Sequence, residues 1–252
     1  MLAAIAQALT DTLYPPRCLA CTTATATATG LCGPCWRETH FFTGPVCDLC
    51  GVSVATATGA NGARLSTRLL CDSCTHAPPA WDRGRAAIAY EGRGRDILLS
   101  FKHGDRLDMA PVLADWIRNA MAPLIKNRMV IAPVPLHWRR MIQRRFNQSA
   151  ELARHLARIH ARTHDTTLIP DLLIRQRATE RQSGNRAERH ANIRGAIAIN
   201  PRRAAEISGR PVLLIDDVLT SGATLSAATE ALRPHTPEIV NIAVLARVAR
   251  DG

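Results

Sequence analysis

The eight cysteines of this 252-residue chain fall into four Cys-x-x-Cys pairs: Cys18/Cys21, Cys32/Cys35, Cys47/Cys50 and Cys71/Cys74. None lies beyond residue 74. Two thiolates separated by two residues on a tight turn can face one ion, and a second such turn completes a tetrahedral site. Eight thiolates therefore imply two zinc ions. Twenty residues separate Cys50 from Cys71, within the zinc-ribbon range, whereas 10 separate Cys21 from Cys32. Sequential sites, Cys18/Cys21/Cys32/Cys35 and Cys47/Cys50/Cys71/Cys74, are favoured over a crossed arrangement, which stays open. A disulfide scaffold or redox-active pairs are the competing readings. The apolar start, MLAAIAQALTDTLYPP, lacks a basic leading region and reads as a short helix rather than an export signal. Reduced thiols in a cytoplasmic protein are therefore expected. Four thiolates leave no position for water, so both ions should be structural.

A second kind of chemistry sits in Val212-Leu-Leu-Ile-Asp216-Asp217-Val-Leu-Thr220-Ser221-Gly222-Ala223-Thr224-Leu225. Four apolar residues form a buried strand. Two adjacent carboxylates follow, and then a small-residue loop that leads into a helix. Such a loop offers backbone N–H groups and hydroxyls to a phosphate, and the helix dipole adds to the attraction. Carboxylates beside a phosphate seat repel it unless they serve sugar hydroxyls or a Mg²⁺ ion. Together these parts describe a sugar-phosphate site. The segment is not a dinucleotide fingerprint, and it lacks the lysine of a P-loop.

The elements that must position these groups change in character near residues 75–81, where Pro78-Pro79 suggests a domain boundary. Short apolar runs at 86–90, 129–134, 196–199, 212–215 and 239–245 read as strands, and helical periodicity fits 97–101, 112–121, 150–159 and 224–232. The alternation predicts an α/β domain over 81–252, with a largely parallel sheet and flanking helices, after a small cysteine-rich domain over 1–80. Ligands of such a sheet lie beyond the carboxyl ends of its strands. The Ala/Thr tracts at 22–29 and 54–58 read as loops or weak hairpin strands. No apolar run reaches the roughly 18 residues of a membrane span.

The formal net charge is +11, and residues 128–203 hold all of it, with 16 arginines against five acids. A local excess of this kind suits a polyanion: phosphate, pyrophosphate or nucleic acid. Arg154, Arg158 and Arg162 recur every four residues on the helix that Leu152, Leu156 and Ile159 make apolar. A solvated face is the favoured reading of that stripe, and a surface that tracks a nucleic-acid backbone is the sharper one. Asn147 reads equally as a helix cap or a ligand contact. Lys102 and His103 read as cations that favour a helix end.

The stretch Ile-Asp-Asp-Val-Leu-Thr-Ser-Gly-Ala-Thr resembles the phosphoribosyl-diphosphate signature of type I phosphoribosyltransferases. Ala132-Pro-Val-Pro-Leu136 with Arg144-Arg145-Phe146-Asn147-Gln148, and Gln182-Ser-Gly-Asn-Arg186 with Asn192-Ile-Arg-Gly195, resemble signatures of the ComF family of competence proteins. The cysteine module is similar to that family's double zinc ribbon. The resemblance implies a type I phosphoribosyltransferase-like α/β fold behind two structural zinc ions, and a role in uptake of transforming DNA. It implies that Asp216 and Asp217 hold the ribose hydroxyls and that Thr220, Ser221, Gly222, Ala223 and Thr224 cradle the 5-phosphate. Val134, Pro135 and Leu136, with Arg145, would meet the pyrophosphate and its Mg²⁺. Arg177, Arg181, Gln182 and Arg186 would belong to a mobile covering loop. The implied partners are phosphoribosyl diphosphate, single-stranded DNA and a competence helicase or pore component. A binding module or scaffold without chemistry is the alternative to a transferase. Ser221 stands where many relatives carry Thr and keeps the hydroxyl.

Overall fold

A computed structural model describes residues 16–25, 30–55, 68–103, 106–136, 146–161, 163–176, 195–236 and 238–248. Two short helices, α1 (Gly33–Glu38) and α2 (Asp72–His76), lie in the cysteine-rich part. Then come β1 (Arg83–Ala89), α3 (Gly92–His103), α4 (Ala110–Met121), β2 (Val130–Pro133) and α5 (Gln148–His160). After these follow β3 (Thr167–Leu168), β4 (Leu173–Arg175), β5 (Ile197–Ile199), β6 (Val212–Leu219), α6 (Ala223–Leu232) and β7 (Val240–Arg247).

Five strands form one sheet in the order β1-β7-β6-β2-β3, with every pairing parallel. A run such as Val212–Ile215, apolar at every position, needs cover on both faces. Val212 and Leu214 enter one core layer and Leu213 and Ile215 the other, all fully buried. Buried residues of α3, α4 and α5 fill the second layer. The first layer holds Leu225, Ala228 and Leu232 of α6, Leu173 and Ile197 of the antiparallel β4–β5 pair, and Cys47, Leu49, Cys50 and Cys74. Part of the cysteine-rich segment thus covers the sheet as a helix would.

Three contacts hold that segment against β1. Residues 40–42 pair antiparallel with its outer edge, with Phe42 N–H donating to Ala87 O (3.0 Å) and Ala89 N–H donating to His40 O (2.9 Å). This closes an edge that would otherwise present free backbone groups. Leu49 O lies against the Cα of Gly84, where any Cβ would collide with it. Arg83 and Arg85 both donate to Asp48 Oδ1, at 2.8 and 2.9 Å.

The parallel α/β sheet matches the expectation, and three details differ. Residues 197–199 form a strand, but in a separate antiparallel pair with β4. β3 and β4 were not anticipated, since two- and three-residue strands carry too few positions for a periodicity. The strand expected at 212–215 continues to Leu219, because pairing with β7 carries on from Asp216↔Val244 to Leu219↔Arg247. The two aspartates therefore lie within the strand, not after it.

Candidate functional site

The carboxyl end of β2, the last turn of α3 and the first turn of α5 converge on Asp216 and Asp217 of β6. Each carboxylate has a partner. Asp216 Oδ1 accepts from Ser149 Oγ on the first turn of α5 and from the Asp217 backbone N–H, both at 2.9 Å. Asp217 Oδ2 lies 3.1 Å from Lys102 Nζ, with side-chain exposures of only 11% and 12%. Burial, and next the charge of Asp217, push the Asp216 carboxyl up to about 7. Two carboxylates in a shielded cleft resist sharing two full charges. An acid pair that already carries an ammonium suits neutral sugar hydroxyls better than a divalent ion.

Asn147 caps α5. Its side chain accepts from Ser149 N–H (3.0 Å) and Ala150 N–H (3.4 Å), and its Nδ2 donates to Val134 O (3.2 Å). The helix cap is thus the role the geometry gives it, and the cap fastens the segment after β2. Val134 N–H donates to Ile215 O (2.9 Å), so this segment runs beside the acid pair. Val134 is buried, and Pro135 and Leu136 are partly exposed at the mouth. Gln148, 1% exposed, donates through Nε2 to Lys102 O (3.3 Å), tying α5 to the end of α3.

Thr220 and Ser221 lead to Gly222, which precedes α6 with φ +81° and no side-chain cap. The first N–H groups of a helix have no partner within it. Of these, Ala223 N–H reaches Ser221 Oγ at 3.4 Å. A left-handed glycine that turns small residues toward an uncapped helix start forms a concavity suited to an anion. Arg145, Arg177, Arg181, Gln182 and Arg186 lie outside the described residues, as do Arg144, Arg162 and residues 1–15.

Sequence reasoning missed three residues at this site. Lys102, which the sequence suggests as a helix-end cation, instead pairs with Asp217. Its signal was rarity, because the chain has two lysines among 32 cationic residues. Arg247, 5% exposed, donates through Nη1 to Leu219 O (3.1 Å), Thr220 O (3.0 Å) and Val248 O (2.6 Å). Trp81, also 5% exposed, packs under Gly222. Nothing local in the sequence marks either. A cavity of about 510 Å³ lies elsewhere, between α4 and the edge segment, lined by Trp36, Phe41 and Trp116. Its single charged lining group, Arg85, is engaged by Asp48.

The thiols group sequentially. The Sγ atoms of Cys18, Cys21, Cys32 and Cys35 lie within 4.8 Å of one another, and so do those of Cys47, Cys50, Cys71 and Cys74. Backbone bonds close a knuckle around each leading cysteine: Cys18 N–H to Thr23 O and Cys47 N–H to Val52 O, both 2.8 Å. In the second group, hydrogen bonds from Cys50 and Cys74 pull the Cys47 thiol down, while Cys74 is pushed up. Four thiols this close cannot all ionise without a cation, so both sites are compatible with structural zinc. Among the described residues, no helix is long and apolar enough to cross a membrane.

Comparison with known proteins agrees with this layout. The family model for a double zinc ribbon domain matches residues 9–75, and that for a phosphoribosyl transferase domain matches residues 148–252. Competence protein F of Haemophilus influenzae is 27% identical over 225 residues, covering 86% of this chain and 90% of that protein. The DNA utilization protein YhgH of Escherichia coli (strain K12) is 26% identical over 227 residues, with the same coverage. Among solved structures, a hypoxanthine phosphoribosyltransferase from Staphylococcus aureus overlaps loosely, with TM-score 0.31 and 16% identity over 60% of this chain and 70% of its own. With a double zinc ribbon ahead of a phosphoribosyl transferase domain, and similarity over most of its length, the chain is a homologue of competence protein F and YhgH.

Proposed function

We propose that the cleft at the carboxyl ends of β2 and β6 takes phosphoribosyl diphosphate, and that the chain is a cytoplasmic phosphoribosyltransferase acting in the uptake or use of DNA. The observation that carries this reading is the acid pair with its own counter-cation, Lys102, beside a left-handed small-residue loop. Asp216 and Asp217 would accept hydrogen bonds from the ribose 2- and 3-hydroxyls. Thr220, Ser221, Gly222, Ala223 and Thr224 would hold the 5-phosphate. Val134, Pro135 and Leu136 would face the pyrophosphate with Arg145, and Arg177, Arg181, Gln182 and Arg186 would cover the bound sugar. The domains would divide near residue 80, into 1–80 and 81–252.

Loss of pyrophosphate from C1 develops positive charge on the ribose and negative charge on the leaving group. In this reading the carboxylates would serve the ribose and Arg145 the leaving group. Mg²⁺, when bound with the diphosphate, supplies further neutralisation of the leaving group. The covering segment would exclude water, which competes with a nitrogen acceptor. The DNA context rests on the relatives, one of which is a competence protein and the other a DNA utilization protein.

A second reading is a non-catalytic module that senses the sugar diphosphate or grips single-stranded DNA or a competence partner. It is favoured by the lack of any aromatic pair bracketing the 212–225 motif to stack an acceptor base. Calorimetry with phosphoribosyl diphosphate and Mg²⁺, followed by pyrophosphate-release assays with a panel of nitrogenous bases, separates the two. The transferase reading expects binding and release with at least one base. Binding without release for any base selects the module.

A further inference from the structure

The second Cys₄ site and the phosphate loop lie against one another. Leu49 sits on the turn between Cys47 and Cys50, and its carbonyl accepts from Trp81 Nε1 at 2.6 Å. The far edge of the same indole meets the loop, with Trp81 Cη2 only 2.9 Å from where a Cβ on Gly222 would stand. One rigid side chain therefore touches the zinc knuckle at one end and the loop's left-handed turn at the other.

Arg247 forms a parallel link. Its guanidinium holds the carbonyls of Leu219 and Thr220, and among the described residues it makes no ion pair, while its buried Nε has no partner. With Cys50, Ser73, Cys74, Trp81, Thr220 and Ser221 it lines a cavity of about 20 Å³, room for one water molecule. A buried guanidinium without a carboxylate needs negative charge nearby. Zinc bound by four thiolates is a net dianion, and two of the residues that would hold it, Cys50 and Cys74, line the same cavity.

We propose that Trp81 and Arg247 are positioning residues that brace the phosphate loop against the second Cys₄ site, so that zinc there sets the loop's shape and its grip on a sugar phosphate. The grip rests on the phosphoribosyl-diphosphate reading, and the bracing does not. The test uses the full-length, zinc-loaded protein in three measurements. Hydrogen exchange is followed in the segment 219–223 and in α4 during partial chelation, with alkylation and peptide mapping to identify which cysteines are released. Ribose 5-phosphate is titrated before and after chelation. Zinc affinity is measured by chelator competition with and without ribose 5-phosphate, in the wild type and in Trp81→Phe, which keeps an aromatic ring and removes the N–H.

The expected result is that release of Cys47, Cys50, Cys71 and Cys74 raises exchange in 219–223 before α4 and by more, whereas release of the first group does not. Ribose 5-phosphate should tighten zinc at the second site by about fivefold or more, because coupling between sites is reciprocal. Trp81→Phe should fold, keep two zinc ions and lose most of that tightening. Exchange that rises equally in α4 and the loop, or not at all, overturns the proposal. So does ribose 5-phosphate binding that ignores zinc. If ribose 5-phosphate and phosphoribosyl diphosphate both fail to bind the loaded protein, the sugar-phosphate reading fails, and the exchange measurement still decides the bracing.

Discussion

At the scale of single residues, the cleft turns on how two adjacent carboxylates are kept in a shielded place. Lys102 and Ser149 divide the work, one by charge and the other by a hydrogen bond. Removing the ammonium leaves an uncompensated carboxylate, and breaking such a pair costs about 3 kcal/mol. Lys102→Met should therefore lower unfolding stability by roughly that amount in urea titrations at pH 8. The penalty should shrink at pH 5, where the acid pair can take up a proton. Asp216 also gives a direction for pH. Its folded pKa, about 7, lies above the ordinary 3.8. Between those values the folded state holds a proton that the unfolded chain has lost. The group's contribution to stability thus falls as pH rises from about 4 to 7 and is level above. A ligand that needs the charged carboxylate must expel that proton. Affinity for phosphoribosyl diphosphate should rise from pH 6 to pH 8 with measurable proton release, and Asp216→Asn should flatten the profile.

At the scale of elements, the turn from β6 to α6 decides the site's shape. Gly222 needs its positive φ, and a side chain there meets Trp81. Gly222→Ala should cost about 1–2 kcal/mol in thermal or urea unfolding and abolish sugar-phosphate binding, with two zinc ions retained. Much of this element was legible in advance. Four apolar residues, two acids and a loop of small residues announce strand, acid pair and helix start without any long-range information. The same legibility misplaced the acids, because their poor strand propensity suggested that the strand ends at Ile215. Pairing with β7 and the partners from α3 and α5 override that local preference. β4 is hidden for the opposite reason: three residues offer no pattern, so the antiparallel partner of the strand at 197–199 has no local signal. Lys102, Trp81 and Arg247 are hard to read as site residues because each acts through a partner more than 25 positions away.

At the scale of the whole molecule, the two Cys₄ groups are not equivalent. Cys47, Cys50 and Cys74 pack in the same core layer as Val212 and Leu214 of the central strand, whereas Cys21 and Cys32 of the first group are half-buried. Metal content should be two zinc ions per chain. Cys74→Ser should lower the melting temperature by about 5 °C more than Cys21→Ser, a difference near 2 kcal/mol for a chain of this size. The charge of the molecule is also divided by place. The +11 excess lies in residues 128–203, yet the 220–224 loop proposed to hold a phosphate lies outside that stretch and follows two acids. Arg154 is engaged by Glu151 on its own helix and Arg158 is exposed, in keeping with a solvated face.

If the acid pair holds a sugar diphosphate, as proposed, its neutralisation must abolish binding. Titration calorimetry with phosphoribosyl diphosphate and Mg²⁺ on the wild type and on the Asp216→Asn/Asp217→Asn double variant tests it most directly. Saturable binding at one site per chain is expected in the wild type and none in the double variant, with zinc content and melting behaviour preserved. Absence of binding in the wild type, or equal binding in both proteins, would contradict it.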